Sequence, residues 1–263
     1  MLNRRTLRIK VMQTLYAYHQ AVGSDFLLAI DRIADAFAPD LNSPEPQDRK
    51  QLQGQRKLAE VLFKEWHKTR QEVEKTDDAD VNDAVRDAIA FYEKAVAKDA
   101  TFYGGQMVHA AESIHDQYIH LLNIPEALLQ VIEEEKERVA RRLTAAKEPL
   151  LDATRLQENQ VIEKLMGNLQ LQDLTIRRSL KWHGEDEMEA LRTAWRTEMK
   201  QDPELLSYLA APAGNYQEDQ EILKHLYKTY VFKGTSLPAY IEEDDLNWEE
   251  NRPIVKNLVV KTI

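Results

Sequence analysis

Apolar residues recur at spacings of three and four along almost the whole chain, and no stretch alternates convincingly with period two. At about 100° per residue, the first spacing keeps side chains on one face of an α-helix, whereas a half-buried strand needs the second. Only 8 glycines and 9 prolines punctuate 263 residues, too few for a turn-rich β-sandwich or barrel. The expected fold is all-α, a multi-helix bundle or array of about ten or more helices.

Composition narrows the class. Hydrophobic residues make up 43% and charged residues 30%, a balance that supports a core and argues against a long disordered tail. Cysteine is absent, so disulfides, zinc–thiolate sites and thiol nucleophiles are excluded, and a cytoplasmic location is expected. No apolar run reaches the about 18 residues of a membrane span. Gln13, Thr14, His19 and Gln20 interrupt what would be a signal-peptide core. Lys and Arg number 35 against 45 Asp and Glu, a formal net charge of −10. Such a surface does not attract nucleic acid as a whole, although a local basic footprint remains compatible with it.

Residues 4–22 read as the first helix, with Asn3 as its N-cap. Leu7, Val11, Leu15, Tyr18 and Val22 form one stripe and Ile9, Met12 and Tyr16 a second arc, a pattern expected of a helix sandwiched between neighbours. Gly23-Ser24-Asp25 should end it, and Pro39 to Pro46 reads as a linker. Further helices are expected at 51–74, at 83–98, and from Val108 to Leu121 after a break at Gly104-Gly105. Others follow from Pro125 to about Ala146 (closed by Pro149), at 155–181, 185–201, 204–211, 217–233 and 238–244, and from Asn251 onward. This organises the chain as 1–38, an extra helical region 51–212, and a helical segment 217–263. The apolar helical pattern continues through Val259-Val260-Lys261-Thr262-Ile263, which raises the expectation of a fragment.

Arg4, Arg5, Arg8 and Lys10 are the most pointed chemical feature: four cations precede the first acid, Asp25. Cations at a helix N-terminus oppose its dipole, so helix formation does not explain them. Guanidiniums contact phosphates and stack on splayed bases, and a solvated or salt-bridging role is the plain alternative. His109, Glu112, His115, Asp116 and His120 lie at helical spacings, but a helical di-metal site needs matching Glu/His pairs on other helices. No metal or other cofactor is expected. Nucleophile elbow, glycine-rich phosphate loop and His-Glu-x-x-His are all missing, and acid pairs such as Asp186/Glu187 and Asp244/Asp245 sit in charge runs, so no enzymatic activity is expected. The acidic tract Tyr240–Glu250, with Tyr240, Leu246 and Trp248, reads as a helix–loop–helix face anchored by aromatics.

The opening segment MLNRRTLRIKVMQTLYAYHQA resembles the first helix of the NusB transcription antitermination family, in particular its enlarged Bacteroidetes form. Arg4-Arg5, Leu7-Arg8, Val11-Met12-Gln13 and Leu15-Tyr16-Ala17 carry the match in both charges and core positions. Met107–Leu122, Asn159–Leu165, Asp219–Phe232 and Asn247–Ile263 resemble the extra helical region of the enlarged members.

The resemblance implies a non-catalytic, all-helical RNA-binding protein. It would pair with ribosomal protein S10 (NusE), bind boxA-type single-stranded RNA of ribosomal RNA leader transcripts, and join the RNA polymerase antitermination complex. Arg4, Arg5 and Arg8, with Lys10, would contact RNA, and Leu7, Val11, Leu15 and Tyr18 would hold their helix against the bundle. The family's familiar C-terminal half does not occur before Ile263. A helical protein-interaction scaffold without RNA affinity is the alternative.

Overall fold

The computed structural model describes residues 4–40, 47–72, 74–141, 151–212, 214–245 and 247–263. Asn3, residues 41–46 of the proline-rich linker, Pro149 with the far end of the helix expected to reach Ala146, and Leu246 lie outside them. Among the described residues the fold is all-α: twelve α-helical segments and no strand. None of these helices is long and apolar enough to cross a membrane. The chain divides into two compact units, Met1–Ala111 and Glu112–Ile263, a division inside one helix and not at the linkers suggested by composition.

The first unit is built from α1 (Arg4–Ala36), α2 (Arg49–Thr69) and the greater part of α3 (Ala79–Leu122). Two expected breaks are absent. Gly23-Ser24 lies inside α1, where the Ser24 hydroxyl donates to the Gln20 carbonyl at 3.1 Å, and Gly104-Gly105 lies inside α3. Each interior glycine costs only about 1 kcal/mol relative to alanine, which helices this long absorb. Asp48 caps α2 by accepting from the Lys50 and Gln51 amides, and Arg70 ends it in the left-handed region at φ 55°. The Arg70 guanidinium lies over the rings of Trp66 and Tyr92, at 4.8 and 5.1 Å.

The core of this unit comes from Ala29, Ile33 and Phe37 of the α1 stripe, Ala59, Phe63 and Trp66 of α2, and Val81, Val85, Ala88 and Tyr92 of α3. Phe63 and His67 of α2 meet Phe26 of α1, with ring centroids 5.6 and 4.4 Å apart. Since α2 follows the α1 C-terminus, it runs back antiparallel and ends beside Phe26. Farther along α1, Tyr18 meets Tyr103 of α3 at 6.0 Å.

The second unit holds the remainder of α3, α4 (Ile124–Ala140), α5 (Thr154–Gln157), α6 (Gln160–Met166), α7 (Leu169–Arg177), α8 (Glu185–Ala194), α9 (Pro203–Ala210), α10 (Tyr216–Leu226), α11 (Ser236–Asp244) and α12 (Trp248–Thr262). The single helix expected over 155–181 is three. Asn159 and Asn168 each turn the chain and accept two amides of the next helix, at 2.9–3.1 Å for Asn159 and 3.0–3.1 Å for Asn168. Asn159 also donates to the Tyr208 hydroxyl and the Asp219 carbonyl, which fixes α6 against α9 and α10.

Helices α8 and α10 each run on into a π turn, Trp195–Met199 and Tyr227–Val231, closed by Lys200 N–H to Trp195 O and Phe232 N–H to Tyr227 O. Trp182, Trp195 and Trp248 are fully buried in this unit. The acidic tract does form a helix–turn–helix anchored by Trp248, which stacks on Phe232 at 6.1 Å.

Candidate nucleic-acid interface

Beyond the end of α2, residues 4–21 of α1 continue for about 27 Å at 1.5 Å per residue. Arg4, Arg5 and Arg8 are exposed there, and none pairs with a carboxylate among the described residues. Lys10 differs: it is buried, at 5% exposure, on the opposite face with Thr6. Projecting the helix at 100° per residue puts Arg5, Arg8, Met12, Tyr16 and His19 on one outward face. Met12 and Tyr16 are 66% and 69% exposed. Across 4–24 and 100–111 the chain carries four cations and no carboxylate, inside a protein of net charge −10.

The aliphatic residues of the same segment need correction. Leu7 and Leu15, expected in the core of the first helix, are exposed, and Val11 and Tyr18 are half-buried. Ile9, Met12 and Tyr16 are exposed too, so the helix is not sandwiched. The stripe itself is continuous with Val22, Phe26, Ala29, Ile33 and Phe37, and its cover stops where α2 stops. The sequence therefore locates the stripe and cannot show how far the second helix reaches. Met12, Tyr16 and His19 were not read as outward-facing partners of the arginines, although their spacing from Arg5 and Arg8 carries that signal.

The other clusters are occupied by structural work. Arg178 pairs with Asp116 at 2.8 Å and with Glu112 at 3.8 Å. His120 stacks on Trp182 and faces Glu187 at 3.5 Å, and its burial holds the imidazole pKa below the usual value. No group of three His, Asp or Glu among the described residues is placed to hold a metal ion.

Two buried polar networks tie the second unit together. Asp202 accepts from the Leu205 amide at 2.7 Å, from His225 Nε2 at 2.9 Å and from the Tyr230 hydroxyl, while His225 Nδ1 lies 2.9 Å from Glu204. Burial raises the Asp202 carboxyl pKa, but these hydrogen bonds outweigh it and hold the group below its ordinary value. The buried Arg155 bonds Glu218 at 2.6 Å and lies over the Tyr208 ring at 4.1 Å. The Tyr208 hydroxyl donates to Asp219 at 2.9 Å, and its pKa is pushed up to about 12, first by burial. Arg155, Glu204, Ser207, Tyr208 and Glu218 line a shallow cleft of about 490 Å³ in which every named charge already has a partner inside the fold or faces solvent.

Thus the α1 arginines are the charged cluster the fold leaves without carboxylates, on the helix that the sequence singled out. No family model, curated protein or solved structure matches the chain.

Proposed function

We propose that this chain is an RNA-binding protein whose contact surface is the outward face of α1. In the manner of the NusB antitermination family that its first helix resembles, its ligand is boxA-type single-stranded RNA. Its partners are ribosomal protein S10 (NusE) and, through it, the RNA polymerase antitermination complex. The observation that carries the reading is the cluster of exposed Arg4, Arg5 and Arg8 in a carboxylate-free stretch, next to the exposed Met12 and Tyr16. Arginines draw the phosphates in, while an aromatic and a thioether offer surfaces on which unstacked bases can lie.

Fluorescence anisotropy with a labelled boxA-like RNA and a scrambled RNA of equal length tests it. Expected are selective binding strengthened by NusE and a loss of at least tenfold on replacing Arg4, Arg5 and Arg8 with alanine. The slope of log affinity against log salt should fall by about 2, since each single-strand phosphate contact contributes ~0.7. Binding indifferent to sequence and to the arginines overturns the proposal. A scaffold without RNA affinity is the second reading, favoured by the exposure of Leu7 and Leu15.

A further inference from the structure

The α1 stripe is packed over its second half and bare over its first. Val22 to Phe37 lies against α2 and α3, with Phe63 and His67 of α2 seated on Phe26. One turn past His67, α2 stops at Thr69 in the left-handed Arg70 cap. Continued along its own direction, α2 would pass over Val22 and then over Tyr18, Leu15, Val11 and Leu7. The Tyr18–Tyr103 contact forms the floor of that path, between α1 and α3. Seen along the helix, Arg4 and Arg8 border the stripe.

We infer that this groove docks an acidic amphipathic helix of a partner protein, laid end to end with α2. Continuity with the α1–α2 packing sets the shape. The bare stripe has the same three-and-four spacing as its covered half, and its length accommodates a helix of about 18 residues. Charge sets the chemistry: four cations and no carboxylate surround the groove. A second copy of this chain, offering the same segment, would set those cations against each other, whereas a helix with flanking Glu or Asp pairs them. The surface is distinct from the outward Arg5–Met12–Tyr16 face, although Arg4 and Arg8 border both.

The probes are two synthetic helices of about 18 residues with leucines at heptad a and d positions, flanked in one by glutamates and in the other by lysines. Titrated against the intact chain, the glutamate helix should bind at least tenfold more tightly than the lysine helix. A Leu7→Gln/Leu15→Gln variant should lose that binding with an unchanged circular-dichroism spectrum, because both positions are exposed. The same variant should keep its RNA affinity within twofold, whereas Arg5→Ala/Tyr16→Ala should weaken RNA and spare the peptide. The two readings therefore fail separately. No saturable binding of the glutamate helix, or equal binding of both, overturns the inference. So does self-association of the chain, measured by sedimentation, that the leucine variant removes.

Discussion

The two compact units use glycine in opposite ways. In the first, a Cβ added at Gly23, Gly54, Gly104 or Gly105 would meet nothing within 4 Å, so these glycines weaken long helices without serving a close approach. In the second, a Cβ at Gly214 would stand 2.1 Å from Arg155 Nη2, and one at Gly234 would stand 2.5 Å from the Tyr230 carbonyl and 2.6 Å from Glu198 Oε2. Those glycines let side chains reach their partners: Glu198 bonds the Ser236 amide and hydroxyl at 2.9 and 2.6 Å only because Gly234 leaves room. One unit relies on apolar contact between long helices. Its counterpart fixes short helices with buried hydrogen bonds, and this difference predicts how each responds to change.

The largest effects should come from the rings. Trp195→Ala removes a fully buried indole together with its hydrogen bond to Glu135, and urea unfolding should show a loss of about 3–5 kcal/mol, as should Phe63→Ala in the first unit. Asn159→Ala separates the two designs more sharply. It strips two amide caps and two buried partners at once, for about 2 kcal/mol or more, whereas Asn168→Ala, an exposed cap, should cost about 1 kcal/mol.

Glycine replacements should then change sign between the units. Gly214→Ala should destabilise by about 1–3 kcal/mol, because Arg155 or Glu218 must move. Gly104→Ala should stabilise by about 0.5–1 kcal/mol. If both changes destabilise, the contrast fails.

Acid provides the finest comparison. Asp202 sits below its ordinary value of 3.8, so its stabilising contribution is complete above that value and is lost as pH falls through the still lower folded pKa. Asp25 has the opposite sign. Burial, and then the neighbouring Asp99, raise its pKa, so its contribution is best below 3.8 and is lost as pH rises through the folded value. Asp25→Asn should therefore slightly raise the melting temperature at pH 7, and Asp202→Asn should lower it and blunt the loss on acidification. Thermal melts between pH 3 and pH 7, followed by circular dichroism, check both signs.

The fold class was legible because its signal is local: period, caps and the scarcity of glycine and proline. Boundaries were less so. Gly23 and Gly104-Gly105 look like stops, yet tertiary cover carries the helices through them, while Asn159 and Asn168 cut an apolar run that reads as one helix. At the candidate site, the arginines and the stripe were visible in sequence. Which side of α1 is bare was not, because that depends on where α2 ends. Lys10 shows the same limit, since charge alone counts it with the arginines and packing removes it from the surface.

The π turns at Trp195–Met199 and Tyr227–Val231 each hold one residue more than an α-turn between the same hydrogen-bonded ends. Each is a one-residue insertion that its helix has absorbed. Deleting Thr197 would return the first to ordinary α geometry, yet everything beyond it would swing by about 100° about the helix axis. Met199 would leave the core, and Glu198 would turn away from α11. Homologous chains should therefore keep or lose the extra residue together with the glutamate, as a single inherited unit of length and charge.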